Sequence, residues 1–95
     1  MRLEFEGRVL AWHGPAPYIF IEMPQAQSEL LKRGAAELSY GWGCIAVSAR
    51  LGRTSWRTAL MPKDGRYLLP IKVLVQKAET VAVGETRKVL LEIAR

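Results

Sequence analysis

From Leu3 to Ala11 the apolar positions Leu3, Phe5, Val9 and Ala11 share one parity while Glu4, Glu6 and Arg8 take the other, the two-residue period of a half-buried strand. Gly7 interrupts this alternation, and a glycine inside a strand marks a bulge or a tight bend of the kind that barrel closure needs. His13-Gly14-Pro15-Ala16 reads as a turn. Pro17 to Met23 follows as a second strand, with Ile19, Ile21 and Met23 on one face and Tyr18 and Phe20 on the other, so the two strands form a hairpin.

Pro24 stops that strand and suits the start of a helix, where its missing N–H would have had no partner. Ala26, Leu30, Leu31, Ala35 and Leu38 recur at helical spacing, and Gln27, Glu29, Lys32, Arg33 and Glu37 face water, which predicts an amphipathic helix of about three turns. Gly34 weakens it by roughly 1 kcal/mol relative to alanine and favours an early end.

Gly41-Trp42-Gly43 launches a third strand in which Ile45, Val47, Ala49 and Leu51 point one way and Cys44, Ala46, Ser48 and Arg50 the other. Gly52 sits at a tight reversal. A fourth strand from Arg53 to Met61 sets Thr54, Trp56, Thr58 and Leu60 against Ser55, Arg57, Ala59 and Met61, and stops at Pro62. Lys63-Asp64-Gly65 has hairpin-turn chemistry. Tyr67 to Leu69 is a short fifth strand ended by Pro70, and Ile71, Leu74, Val75 and Ala78 then fit the spacing of a second short helix. After a turn over Val81 to Gly84, Val89, Leu91 and Ile93 share one parity in a final strand. No internal repeat or linker is visible. The fold class is mainly β with two short helices, one barrel domain over residues 1–95.

Composition narrows the class without naming an activity. Hydrophobic residues at 49% and charged residues at 24% describe a globular chain and exclude disordered or fibrous classes. No apolar run approaches the roughly 20 residues of a membrane span, and Met1 to Glu6 alternates like a strand rather than like a secretory signal, so the expected compartment is the cytoplasm. The single Cys44 allows no intrachain disulfide framework. A net charge of +5 favours an anionic partner but also describes many solvated surfaces, and only Arg50, Arg53 and Arg57 form a local concentration.

Tyr40-Gly41-Trp42-Gly43, the run from Trp56 to Tyr67 followed by Pro70-Ile71-Lys72, and Phe5-Glu6-Gly7 with Pro15-Ala16-Pro17-Tyr18 together resemble the bacterial family known as domain of unknown function 1905. The resemblance covers nearly the whole chain and rests on the order and spacing of these segments, not on one diagnostic motif. It implies a double-split β-barrel, a pseudo-barrel of short strands capped by helices, and no established activity. Members of that family occur alone or fused to a domain related to bacteriocin-protection proteins. Gly84-Glu85 stands where Gly-Asp is commoner in the family.

Candidate chemistry is sparse. Nucleophilic catalysis would draw on one cysteine, one histidine and one aspartate, Cys44, His13 and Asp64, of which Asp64 is explained by its turn and Cys44 by an apolar strand. Those residues supply too few ligands for zinc, and no glycine-rich loop precedes a helix as a phosphate site requires. The aromatic residues Trp12, Tyr18, Tyr40, Trp42, Trp56 and Tyr67 either line a pocket or fill the space between barrel and helices.

The expected function is therefore a non-enzymatic module without cofactor or metal, binding a small anionic or aromatic ligand or a partner protein through Trp42, Trp56, Arg57, Lys63, Tyr67 and Lys72. The alternative is a nucleic-acid-binding module through Arg50, Arg53 and Arg57, supported at fold level by analogy with barrel-type DNA-binding domains. A small enzyme using Cys44 and His13 comes third. No membrane partner is expected, and the chain is a monomer or a homodimer through an exposed strand edge.

Overall fold

A computed structural model describes residues 1–12, 18–34, 39–40 and 43–93. Its elements are β1 (Arg2–Trp12), β2 (Tyr18–Glu22), α1 (Gln25–Arg33), β3 (Ser39–Tyr40), β4 (Cys44–Leu51), β5 (Thr54–Lys63), β6 (Arg66–Ile71), α2 (Val73–Ala78) and β7 (Thr86–Ile93). The sheet runs β3-β4-β5-β6-β2-β1-β7, and a β4–β7 pairing closes six of these strands into an antiparallel barrel. Full closure removes the exposed edges that an open sheet of this length would present.

Two strands pass from one side of the barrel to the other, and that is how the barrel splits. β1 pairs with β7 over Arg2 to Arg8 and then with β2 over Val9 to Trp12. β5 pairs with β4 over Thr54 to Leu60 and then with β6 over Met61 to Lys63. Gly7 stands where β1 changes partner. A Cβ there would lie 2.1 Å from the Glu22 carbonyl oxygen, so the residue is glycine because the end of β2 presses directly on its backbone.

The pairings also reveal a pseudo-two-fold that the sequence conceals. β1-β2-α1-β4 and β5-β6-α2-β7 each consist of a long split strand, a short strand, a helix, and a return strand that pairs with the long strand of the other unit. The axis passes through the opposed pairs Ile21↔Leu69 and Arg50↔Leu90. In this correspondence Ile19 answers to Tyr67, Ser28 to Gln76, and Trp12 to Lys63. The units share a pattern of buried positions but almost no residue identities, which is why no repeat is visible along the chain.

The interior is filled by the inward parities of the strands, among them Phe5, Val9, Ile21, Val47, Leu60, Leu69, Val89 and Leu91. Phe20 and Leu68 are also buried but lie outside that cluster. They are two-fold counterparts on the other face of their strands, with the Tyr18 ring 5.9 Å from that of Phe20.

Two proline stops predicted from sequence are corrected. β5 continues through Pro62 to Lys63, and β6 through Pro70 to Ile71. The Asp64-Gly65 turn has φ of 50° and 82°, a two-residue primed turn that makes Lys63↔Arg66 the closing hydrogen-bonded pair and turns the nitrogen of Pro62 away from β6. Pro70 faces the gap where β5 has left β6, so neither ring removes a ladder hydrogen bond.

The helix faces are corrected too. α1 buries Ser28 and Leu31 and leaves Leu30 53% exposed, because it crosses the barrel end on one narrow stripe and the Ser28 hydroxyl is drawn inward by polar backbone. That Oγ accepts from Tyr67 N–H at 3.2 Å and donates to the Met23 carbonyl at 3.4 Å. In α2 only Val75 is buried, and Leu74 is 80% exposed. The predicted turn over residues 13–16 lies outside the described residues, as do Ala35, Glu37 and Leu38 of the predicted first helix.

Candidate functional site

β1 and β2 end together at the pair Trp12↔Tyr18, and β6 ends at Ile71, where Lys72 turns the chain into α2. The inward-facing residues at this end are Ala11, Ile19 and Ile71, and they floor a cleft of about 470 Å³. Trp12 and Tyr18 wall it on one side, 42% and 37% exposed, and Val73 on the other, 60% exposed. Large apolar and aromatic side chains left in water beside a concave floor are the ordinary make-up of a ligand seat.

The pseudo-two-fold explains why this end of the barrel is open. At the opposite end the counterpart of Ile19 is Tyr67, whose ring is buried in the core, and α1 packs down over it through Ser28 and Leu31. Here the helix is three residues shorter, six against nine, and the smaller isoleucine leaves the mouth unfilled. Both helices keep the same tether to the sheet. Gln76 Nε2 donates to the Ile71 carbonyl at 2.8 Å, as Ser28 does to that of Met23.

The electrostatics of the cleft are one-sided. Lys72 lines it, and among the described residues no acidic side chain does. Lys63 reaches Trp12 from the β5–β6 hairpin, its Nζ 4.5 Å from the centre of the indole, within cation–π range. Because Lys63 and Trp12 are two-fold counterparts, this contact joins the arms of the two hairpins across the axis. An adjacent smaller cleft, of about 340 Å³, carries Lys63, Asp64 and Arg66 over an apolar floor of Leu10, Phe20 and Leu68. There Arg66 is paired with Glu22 at 3.1 Å.

The structure distributes the residues singled out from sequence. Lys72 lines the open cleft and Lys63 stands behind its Trp12 wall. Trp56 is buried, and its Nε1 donates to the Pro70 carbonyl at 3.1 Å across the gap between β5 and β6. Tyr67 is buried at the closed end, and burial pushes its phenol pKa above the usual value. Arg57 is exposed on β5, away from the cleft, and Trp42 lies outside the described residues. Ile19, Ile71 and Val73 were not among the expected site residues, since nothing in a strand's parity says which of its inward positions reaches an uncovered end.

Arg50 and Arg57 project from the outer face of neighbouring strands, two rows apart in the β4–β5 register, with Arg53 in the turn between them. Ser48 and Ser55 stand opposite them. The whole stretch from Leu38 to Lys63 contains no acidic residue. Cys44 is a half-buried thiol at the start of β4, Asp64 occupies its turn, and His13 lies outside the described residues. Among the described residues no three His, Cys, Asp or Glu side chains come together as a metal site, and no helix is long and apolar enough to cross a membrane.

Proteins of curated function offer no match to this sequence. A family model described as a domain of unknown function (DUF1905) does match it, over residues 5–91, which spans both helices and all of the barrel strands except the first residues of β1 and the last of β7; the chain belongs to that family.

Proposed function

We propose that this barrel is a binding module that holds a small planar molecule in the cleft between the Trp12–Tyr18 strand ends and α2. The observation that carries the reading is the pair of aromatic rings, Trp12 and Tyr18, left substantially exposed over an apolar floor at the one barrel end that its helix fails to seal. Binding rather than catalysis fits a cleft whose only charged lining residue, among the described residues, is Lys72. An unpaired Cys44 suits a reducing compartment such as the cytoplasm.

A thermal-shift series with naphthalene derivatives tests this, since a ligand specific to the folded state raises its melting temperature. The reading predicts a rise that disappears in Val73→Asp, a substitution at an exposed helix position that the fold tolerates. No rise with any member, or an equal rise in the variant, would contradict it.

A second reading draws on the acid-free β4–β5 hairpin. Arg50, Arg53 and Arg57 would meet the phosphates of a nucleic acid, and affinity would then fall steeply with salt. Oligonucleotide binding that survives the combined Arg50, Arg53 and Arg57 to Gln replacement would remove this reading.

A further inference from the structure

The geometry points to an anion as the cleft's occupant: we infer that it selects a planar aromatic molecule carrying a carboxylate or similar negative group. This deepens the cleft reading above and rests on it. Three independent features agree. Lys72 lines the cleft, and among the described residues its ammonium has no carboxylate within ion-pair distance, the four ion pairs being Arg2–Glu92, Arg66–Glu22, Arg87–Glu85 and Lys88–Glu4. Lys63 lies against the Trp12 indole at 4.5 Å and is likewise free of such a partner. Among the described residues no acidic side chain lines the cleft, and the sequence joining its two aromatic walls, His13-Gly14-Pro15-Ala16-Pro17, contains no Asp or Glu.

The indole is the point where these features combine. An ammonium on an aromatic ring draws on the negative potential of its π face. The remaining ring surface of Trp12 then becomes a poorer seat for a second cation and a better one for an electron-rich or anionic ring. Lys72, across the floor from Trp12, supplies a charge for the anionic group while Ile19 and Ile71 take the apolar body. Lys63 shares the adjacent cleft with Asp64 of its own turn and with Glu22, which is engaged by Arg66. Neither lines the open cleft.

Three probes of one shape test the selection on the whole chain: naphthalene-2-carboxylate, 2-naphthalenemethanol and 2-naphthylmethylammonium, titrated by amide NMR. The carboxylate is expected to bind roughly three- to tenfold more tightly than the alcohol at low salt, the range that one or two partly exposed ion pairs provide. The ammonium compound binds weakest. Lys72→Met brings the carboxylate to within about twofold of the alcohol, and Lys63→Met, exposed on a hairpin, narrows the same gap by a smaller step. Equal affinities for carboxylate and alcohol, or a preference for the cation, overturn the charge selection and leave the cleft reading standing. Absence of any shift at Ala11, Ile19 and Val73 with all three probes overturns both.

Discussion

Replacing Trp56 with phenylalanine separates a structural tryptophan from a binding one. The Trp56 indole N–H donates to the Pro70 carbonyl at 3.1 Å, at the place where β5 has parted from β6 and no strand neighbour can satisfy that oxygen. Phenylalanine removes the donor and about a third of the ring atoms from a position only 7% exposed. The lost hydrogen bond is worth about 1 kcal/mol, and an orphaned, partly buried carbonyl together with incomplete repacking adds a comparable amount. The sum, about 2 kcal/mol, lowers the melting temperature of a domain this size by roughly 8–16 °C. Far-UV circular dichroism on heating measures it, and Trp12→Phe serves as the exposed control, expected to shift melting by no more than a few degrees. The Trp56 variant retains naphthalene-2-carboxylate affinity when measured well below its melting point. A Trp56→Phe protein that melts with the wild type, or that folds fully yet loses the probe, would refute the assignment of Trp56 to the core.

Further outcomes follow from the same geometry. Gly7→Ala destabilises by at least about 2 kcal/mol, read as the urea midpoint, because its Cβ would stand 2.1 Å from the Glu22 carbonyl oxygen and 2.7 Å from the Ile21 side chain. An ordinary glycine-to-alanine gain of about 0.4–1 kcal/mol would contradict that close approach. Glu85 accepts the Ala82 N–H at 3.0 Å and pairs with Arg87 at 2.8 Å, which together hold its carboxyl below the usual glutamate range. Its folded-state pKa is the lower one, so its contribution is present at neutral pH and is lost as pH falls through that value. Glu85→Gln therefore melts below wild type at about pH 7 and converges on it in acid, whereas a gap independent of pH is the opposing result. Leu74→Glu, at an apolar position that helical spacing assigned to a buried face, leaves stability within about 0.5 kcal/mol of wild type.

The strands were legible because each faces the barrel interior with one parity, so Phe5 and Val9, Ile45 to Leu51, and Val89 to Ile93 alternate without exception. The helices were legible as helices but not in their orientation. A short helix lying across a barrel end buries one stripe, and in α1 that stripe runs through Ser28 rather than Leu30 because two backbone groups need the hydroxyl. Pro62 and Pro70 look like strand ends in a sequence, since their tolerance depends on where two strands separate, a tertiary fact. For the site, basic residues among aromatic ones singled out Lys63 and Lys72, which the structure places behind Trp12 and at the cleft, but parity alone treats Trp12, Trp56 and Tyr67 alike. Which ring fills the core and which borders water follows from the pseudo-two-fold and from the different lengths of α1 and α2, and neither is written in any local pattern.

The claim that this end of the barrel is a ligand seat is tested most directly by intermolecular nuclear Overhauser effects between naphthalene-2-carboxylate and the methyl groups of the protein. The account predicts contacts to Ile19, Ile71 and Val73 and to the Trp12 ring. Contacts confined to Leu30, to the Leu10, Phe20 and Leu68 cleft, or to the β4–β5 hairpin would place the binding surface elsewhere and contradict it.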